Sequence, residues 1–331
     1  MTITVPPVIA VQNVDKYFGV NRSLTERLTG APEQQVSALR DVSLTIAKGE
    51  TVAVVGESGC GKSTLARCLV RLHEVSESKI LFHGQDISHL RGRARRAYNR
   101  RVQMIFQDPY SSLNPRMTVG QAIGEALAVN RICPRNKIAA RIRELLDLVN
   151  LPADAADRYP REFSGGQRQR IGIARALAVE PECIIADEIL SALDVSVQAQ
   201  IINLLLELQQ KLELSLIFVS HDLRVVRHIS HRIVVMYLGA VVETGDTEQI
   251  FADPQHPYTR ALLGAAPEVG VKRSSSQSML NGELPSPLSP PAGCAFHPRC
   301  AQAFGHCSEE RPLLLATRGA GRVACHLQTN T

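Results

Sequence analysis

Apolar and polar positions alternate over residues 8 to 48, first in IAVQNV and again in LRDVSLTIAKGE. A period of two predicts antiparallel strands. A polar insertion, about Asn21 to Gln35, separates them. The pattern then changes. Thr51-Val52-Ala53-Val54-Val55 is a short β-branched run beside Gly49, the mark of a buried strand. Leu65, Leu69 and Leu72 follow at helical spacing. Residues 79–83, VQMIF (102–106), Cys183 to Asp187 and SLIFV (215–219) are further strand candidates. Between them, residues 116–150 read as helices, with KIAARIRELLDLV the clearest amphipathic case. A helix is expected from Ser164 through Ala178. Another buries Ile201, Leu204, Leu205, Leu208 and Leu212. Strands and helices in this arrangement make the fold class α/β.

The residues at the strand ends carry the chemistry. Gly56 to Thr64 reads GESGCGKST, between the first buried strand and its helix. Strand, G-x-x-x-x-G-K-[ST], helix is the context of a phosphate-binding P-loop. Gly56, Gly59 and Gly61 keep side chains out of the path, so the N–H groups of Glu57, Ser58 and Cys60 can turn inward with theirs. Lys62 would meet the β- and γ-phosphates, Ser63 would hold Mg²⁺, and Thr64 would support the α-phosphate side. The second strand ends at Gln107, whose amide could approach the metal and the attacking water; an isolated strand-end Gln is more often structural, so this reading depends on the other motifs. Ser164 with Gln167 fits a capping box, and Gly165 and Gly166 leave that helix start bare, a second anion-binding terminus or simply a well-capped helix. The third strand ends in Asp187 and Glu188, placed to bind Mg²⁺ and to orient or deprotonate water. Ser191 to Asp194 then leads into the next helix. His221 stands where a γ-phosphate sensor would be useful, although a strand-end His is often structural. Phe18, next to Tyr17, is favoured as a flat surface for an adenine ring.

Composition narrows the classes. The chain has 331 residues, 44% of them apolar, and a net charge of +5. That charge does not demand a polyanion partner. Aromatics are 4% and Trp is absent, which argues against base-stacking platforms for single-stranded nucleic acid. The longest apolar stretch, Ile233 to Val242, is too short to span a bilayer, so a membrane role has to come through partners. The N-terminus has no signal pattern, and with it the eight cysteines suggest a reduced, cytosolic protein. Arg91 to Arg101 is densely basic; a solvated helix face is the expected explanation, a lipid-headgroup contact the alternative.

Together these residues resemble an ABC-transporter ATPase subunit. The Walker A stretch, the Q-loop Gln107, the signature FSGGQ, the Walker B IIADE, the D-loop SALD with Asp194 and the switch His221 occur in that family's order, and the match covers most of residues 8–265. QDPYSSLNPR, HDLRVV, FADPQHPYTRALL and GELPSPLSPPAGCAFHPRC look like the dipeptide/oligopeptide permease branch, whose relatives also import nickel. The resemblance implies a P-loop NTPase of the ABC type with an antiparallel β subdomain, an α-helical subdomain and a small Cys-containing C-terminal extension. It implies ATP and Mg²⁺ as ligands, the metal held by Ser63, Gln107 and Asp187. It also implies head-to-tail pairing with a second ATPase subunit, self or paralogue, in which Ser164, Gly165, Gly166 and Gln167 serve the partner's ATP. Two transmembrane permease subunits and, indirectly, a solute-binding protein complete the expected machine, on the cytoplasmic side of an inner membrane. No nucleic-acid partner is expected. The alternatives are the same role for nickel or another small solute, and a soluble ABC ATPase acting on nucleic acid or ribosomes. The single P-loop and the short span from Lys62 to Ser164 argue against the last.

One departure stands out. The family usually has Pro after the Walker B Glu, where this chain has Ile189-Leu190. Losing a turn-stiffening Pro bears on the placement of Glu188 and Asp194. Expected domains are an ATPase domain over 1–270, with its helical subdomain at about 108–180, a Ser/Pro-rich linker over 271–292 and a Cys module over 293–331. Cys294, Cys300, Cys307 and Cys325 follow C-x5-C-x6-C-x17-C. Four cysteines suffice for zinc or a [4Fe–4S] cluster, or can remain free thiols. The resemblance favours the cluster, and the close Cys pair usual for structural zinc is absent.

Overall fold

A computed structural model describes residues 6–19, 35–108, 113–265, 283–317 and 321–328. The polar insertion up to residue 34, the segment Pro109 to Ser112 and the linker over 271–282 lie outside the described residues. The strands are β1 (Ile9–Gly19), β2 (Gln35–Ile46), β3 (Thr51–Val55), β4 (Glu77–Phe82), β5 (Gln85–Asp86), β6 (Val102–Ile105), β7 (Cys183–Asp187), β8 (Ser215–Val219), β9 (Arg232–Tyr237), β10 (Ala240–Asp246), β11 (Leu315–Ala316) and β12 (Arg322–Val323). The helices are α1 (Lys62–Leu69), α2 (Gly92–Arg101), α3 (Val119–Val129), α4 (Ile138–Leu148), α5 (Gly165–Leu177), α6 (Val195–Leu212), α7 (Leu223–Ile229), α8 (Thr247–Ala252), α9 (Pro257–Ala265) and α10 (Gly305–Glu309).

One compact unit is formed mainly by Ile46–Thr51 and His89–Val219. Its strands run parallel in the order β8-β7-β6, with Ile185 opposite Met104 on one side and Ile217 on the other. Every residue of β7 and β8 is buried, as a parallel sheet covered on both faces requires. The helices expected over 116–150 are α3 and α4. Helix α3 starts with a capping box between Thr118 and Gln121. Helix α4 buries Ile142, Leu145 and Leu146, one stripe at helical spacing. The basic run is α2, in which only Tyr98 is buried, so its arginines form an exposed face.

The other unit holds Ile9–Thr45, Val52–Ser88 and Ser220–Thr331. It contains the antiparallel sheet β2-β1-β4-β5. Alternation in β1 is incomplete: Ile9, Ala10 and Val11 are all buried, and the register with β4 shifts between Gln12 and Asp15. That bulge is what the two-residue period could not reveal. The same unit carries strands in the order β11-β12-β10-β9-β3, with β3 parallel to β9. A two-residue hairpin at Leu238 and Gly239, both at positive φ, joins β9 to β10. The C-terminal extension is built into this unit. Strand β12 pairs with β10, and Phe296, 3% exposed, packs among Tyr237, His256 and Tyr258.

Candidate nucleotide site

In the P-loop unit, the turn from β3 into α1 is set by glycines at positive φ. A Cβ on Gly56 would lie 2.2 Å from the Met236 carbonyl oxygen, and one on Gly61 would lie 2.6 Å from that of Ala38. Only glycine fits where the loop runs this close to neighbouring backbone. Helix α1 has no side-chain cap at Gly61, which leaves its first N–H groups to the loop's concavity. Lys62 is buried, with Nζ donating to the carbonyl oxygens of Gly56 at 2.8 Å and Glu57 at 3.0 Å. Its ammonium is thus held under the loop that would receive phosphate. Ser58 and Gly59 are exposed at the loop tip, and Ser63 and Thr64 are half-buried at the helix start. Cys60 is fully buried; burial pushes its thiol up, and it carries no exposed nucleophile.

Three residues outside the loop hold it, and sequence reasoning missed all of them. The Tyr258 hydroxyl accepts the Glu57 N–H at 2.9 Å. Arg299 grips the Glu57 carboxylate with both terminal nitrogens, at 2.7 and 3.0 Å, and reaches the Tyr237 hydroxyl at 3.4 Å. The Gly239 N–H of the β9–β10 hairpin donates to the Cys60 carbonyl. The signal was present in the HPYT and HPRC segments, but spacing along the chain does not say what they touch.

Phe18 is half-buried at the end of β1. Its ring meets His73 edge-on at 5.2 Å, and Lys16 Nζ lies 4.8 Å from its centre. Burial, then Arg67 and Lys16, lowers the His73 pKa, so that edge is neutral near pH 7. Tyr17 is engaged otherwise, its N–H donating to Ser76 and its hydroxyl to Asp15. His221 is exposed at the turn before α7, where Asp222 caps the helix by accepting the Arg224 N–H at 3.0 Å.

In the helical unit, Asp187 is buried at the end of β7, and Glu188 turns out of the strand at φ 47°. This left-handed backbone, unusual for Glu, is held from both sides. Its N–H donates to Val219, and its carbonyl accepts from the Ser191 N–H at 3.2 Å and hydroxyl at 2.9 Å. Gln107 Nε2 donates to the same hydroxyl at 3.3 Å. Ile189 and Leu190, at the place where the family usually has Pro, are 2% and 7% exposed. Burial of these two side chains and the Ser191 bonds close the turn. Asp194 is exposed at the start of α6. Ser164 caps α5, its hydroxyl accepting the Gln167 N–H at 3.3 Å while Gln167 accepts the Ser164 N–H at 3.0 Å. A Cβ on Gly166 would lie 2.4 Å from Val197 Cγ1, so α5 and α6 also need glycine there.

The four C-terminal cysteines are brought together. Cys294 feels Cys300 and Cys307, and Cys325 feels all three. Burial, above all, pushes the thiols of Cys294, Cys300 and Cys325 up, the last to about 11. Cys294 N–H donates to the Cys307 carbonyl at 2.8 Å, with Gly293 allowing that approach. Among the described residues no three His, Cys, Asp or Glu side chains are arranged to hold a single metal ion.

An ABC transporter model matches residues 39–191, and an oligopeptide/dipeptide transporter C-terminal region model matches residues 242–307. The probable peptide ABC transporter ATP-binding protein y4tS of Sinorhizobium fredii is 54% identical over 293 residues, 88% of this chain and 83% of that one. This chain belongs to the ABC-transporter ATP-binding family. The oligopeptide transport ATP-binding protein AppF of Bacillus subtilis is 48% identical over 97% of both chains. The solved dimeric structure of MJ0796, a bacterial ABC transporter cassette, superposes with a TM-score of 0.62 at 27% identity, covering 72% of this chain and 98% of that one. As a member of that family, the chain is an ATPase that binds ATP, typically with Mg²⁺. Among the described residues no helix is long and apolar enough to cross a membrane.

Proposed function

We infer that this ATPase energises uptake of di- or oligopeptides through two transmembrane permease subunits, seated on the cytoplasmic face of an inner membrane and fed by a solute-binding protein. The observation that carries the reading is the oligopeptide/dipeptide C-terminal region over residues 242–307, supported by relatives named for peptide transport. The P-loop N–H groups and Lys62 bind the triphosphate. Ser63, Gln107 and Asp187 would hold Mg²⁺, which neutralises phosphate charge. Glu188 takes a proton from the attacking water or orients it, His221 senses the γ-phosphate, and Phe18 stacks on adenine. Ser164 to Gln167 completes the partner subunit's nucleotide site, with Asp194 at the junction, so hydrolysis requires pairing.

Four cysteines in one small extension are the ligand count that a [4Fe–4S] cluster takes, and this supports a cluster there. Such a cluster would cross-link the extension through Cys294, Cys300, Cys307 and Cys325. Iron content and visible absorbance of anaerobically purified protein test it.

The transport reading is tested by co-purifying the chain with its permeases and assaying ATPase activity with peptide-loaded binding protein. Stimulation by peptides is expected. Stimulation by Ni²⁺ complexes and not by peptides would overturn the assignment.

A further inference from the structure

The P-loop carries a carboxylate of its own, that of Glu57, on the segment that gathers a polyanion. An unpaired carboxylate there would repel every phosphate the loop binds. The structure pairs it with Arg299, from the C-terminal extension. Both guanidinium nitrogens reach both carboxylate oxygens, the geometry that makes Arg–carboxylate pairs strong. The Arg299 side chain is 5% exposed and that of Glu57 is 27% exposed, so water screens the pair poorly. Tyr237 fixes the guanidinium from the other side, its ring lying 5.8 Å away and its hydroxyl within 3.4 Å. Backbone is held as well: the Glu57 N–H goes to Tyr258, and the Glu57 carbonyl takes Lys62. The end of the linker also reaches the loop tip, where Leu284 Cδ2 lies 3.9 Å from the place of a Cβ on Gly59.

We propose that Arg299 is a positioning residue of the ATP site: it neutralises Glu57 and locks the loop, so the C-terminal extension sets nucleotide affinity. The inference rests on ATP binding by the P-loop and is independent of the transported solute. Its signature is a dependence on phosphate number. Without Arg299, the bare Glu57 charge repels ATP more than ADP and ADP more than AMP. General loosening of the fold has no reason to follow that order.

The test is equilibrium binding of ATP, ADP and AMP to the full-length chain, wild type against Arg299→Gln, Glu57→Gln and the double variant. Arg299→Gln should weaken ATP about tenfold or more, with smaller losses for ADP and AMP. Glu57→Gln in that background should recover most of the ATP loss, because the repelling charge is gone. Equal ATP affinity in Arg299→Gln, or a double variant no better than the single, overturns the proposal. If Arg299→Gln does not fold, Arg299→Lys replaces it. A lysine keeps the charge and loses the bidentate fork, so an ATP affinity about threefold weaker is expected and an unchanged one overturns the proposal. Failure of wild type to bind any nucleotide would instead contradict the P-loop assignment itself.

Discussion

Gln107 Nε2 donates to Ser191 Oγ at 3.3 Å, and that hydroxyl donates in turn to the Glu188 carbonyl at 2.9 Å. One serine thus ties Gln107 to the turn that carries Glu188. Ser191→Ala removes both links while keeping the Ser191 N–H bond to Glu188. The expected stability loss is about 1–2 kcal/mol, two modest hydrogen bonds. The kinetic loss should fall on kcat, several-fold, with little change in ATP affinity. A thermal melt and an ATPase titration on the same preparation check both.

In the proposed function Glu188 takes a proton from the attacking water or orients it. Glu188→Gln keeps size and backbone contacts but cannot accept the proton. Hydrolysis in the assembled transporter should fall by about 10²-fold or more, with ATP still bound. Undiminished turnover would show that Glu188 is not the base.

Gly166 has two reasons to be glycine, and they separate experimentally. A Cβ there meets Val197 Cγ1 at 2.4 Å but Val197 Cβ only at 3.7 Å. Gly166→Ala should cost about 1–3 kcal/mol by overpacking. Adding Val197→Ala removes the clashing methyl and should restore much of the stability. Under the proposed pairing, ATPase activity should stay low in the double variant, because the partner's nucleotide would still meet a Cβ. Denaturant midpoints and ATPase rates report the two effects independently.

His256 is buried, and its Nδ1 accepts the Tyr258 N–H at 3.0 Å. Burial, with help from Arg260, lowers its pKa from 6.5 to about 3. The unfolded chain takes up a proton below pH 6.5 and the folded chain does not, so this stability is full above pH 6.5 and is lost as pH falls toward 3. Neighbouring Glu243, raised by burial, acts in the opposite sense as it protonates in the folded state. His256→Asn keeps an acceptor and removes the titration. Between pH 7.5 and 5.5, wild type should lose about 1.4 kcal/mol more than this variant, read from urea midpoints.

The continuous β-branched run of β3, the apolar runs of β7 and β8, the stripe of α4 and the Ser164–Gln167 box were legible because each arises from neighbours a few residues apart. The P-loop is legible for the same reason: its chemistry is its own backbone, with Gly56, Gly61 and Lys62 in sequence. The bulge in β1 was not, since the alternating pattern carries no mark of a register shift.

What the sequence by itself determined is the order of strand-end motifs and the residues in them, because short-range periodicity and loop chemistry are written locally. What only the tertiary structure decided is how those residues are held. Arg299 lies 242 positions from the Glu57 it neutralises, Val197 is what forbids a side chain on Gly166, and Val219 and Ser191 hold Glu188 in a left-handed turn. Each depends on which buried surfaces dock, and packing of distant segments leaves no period along the chain to read.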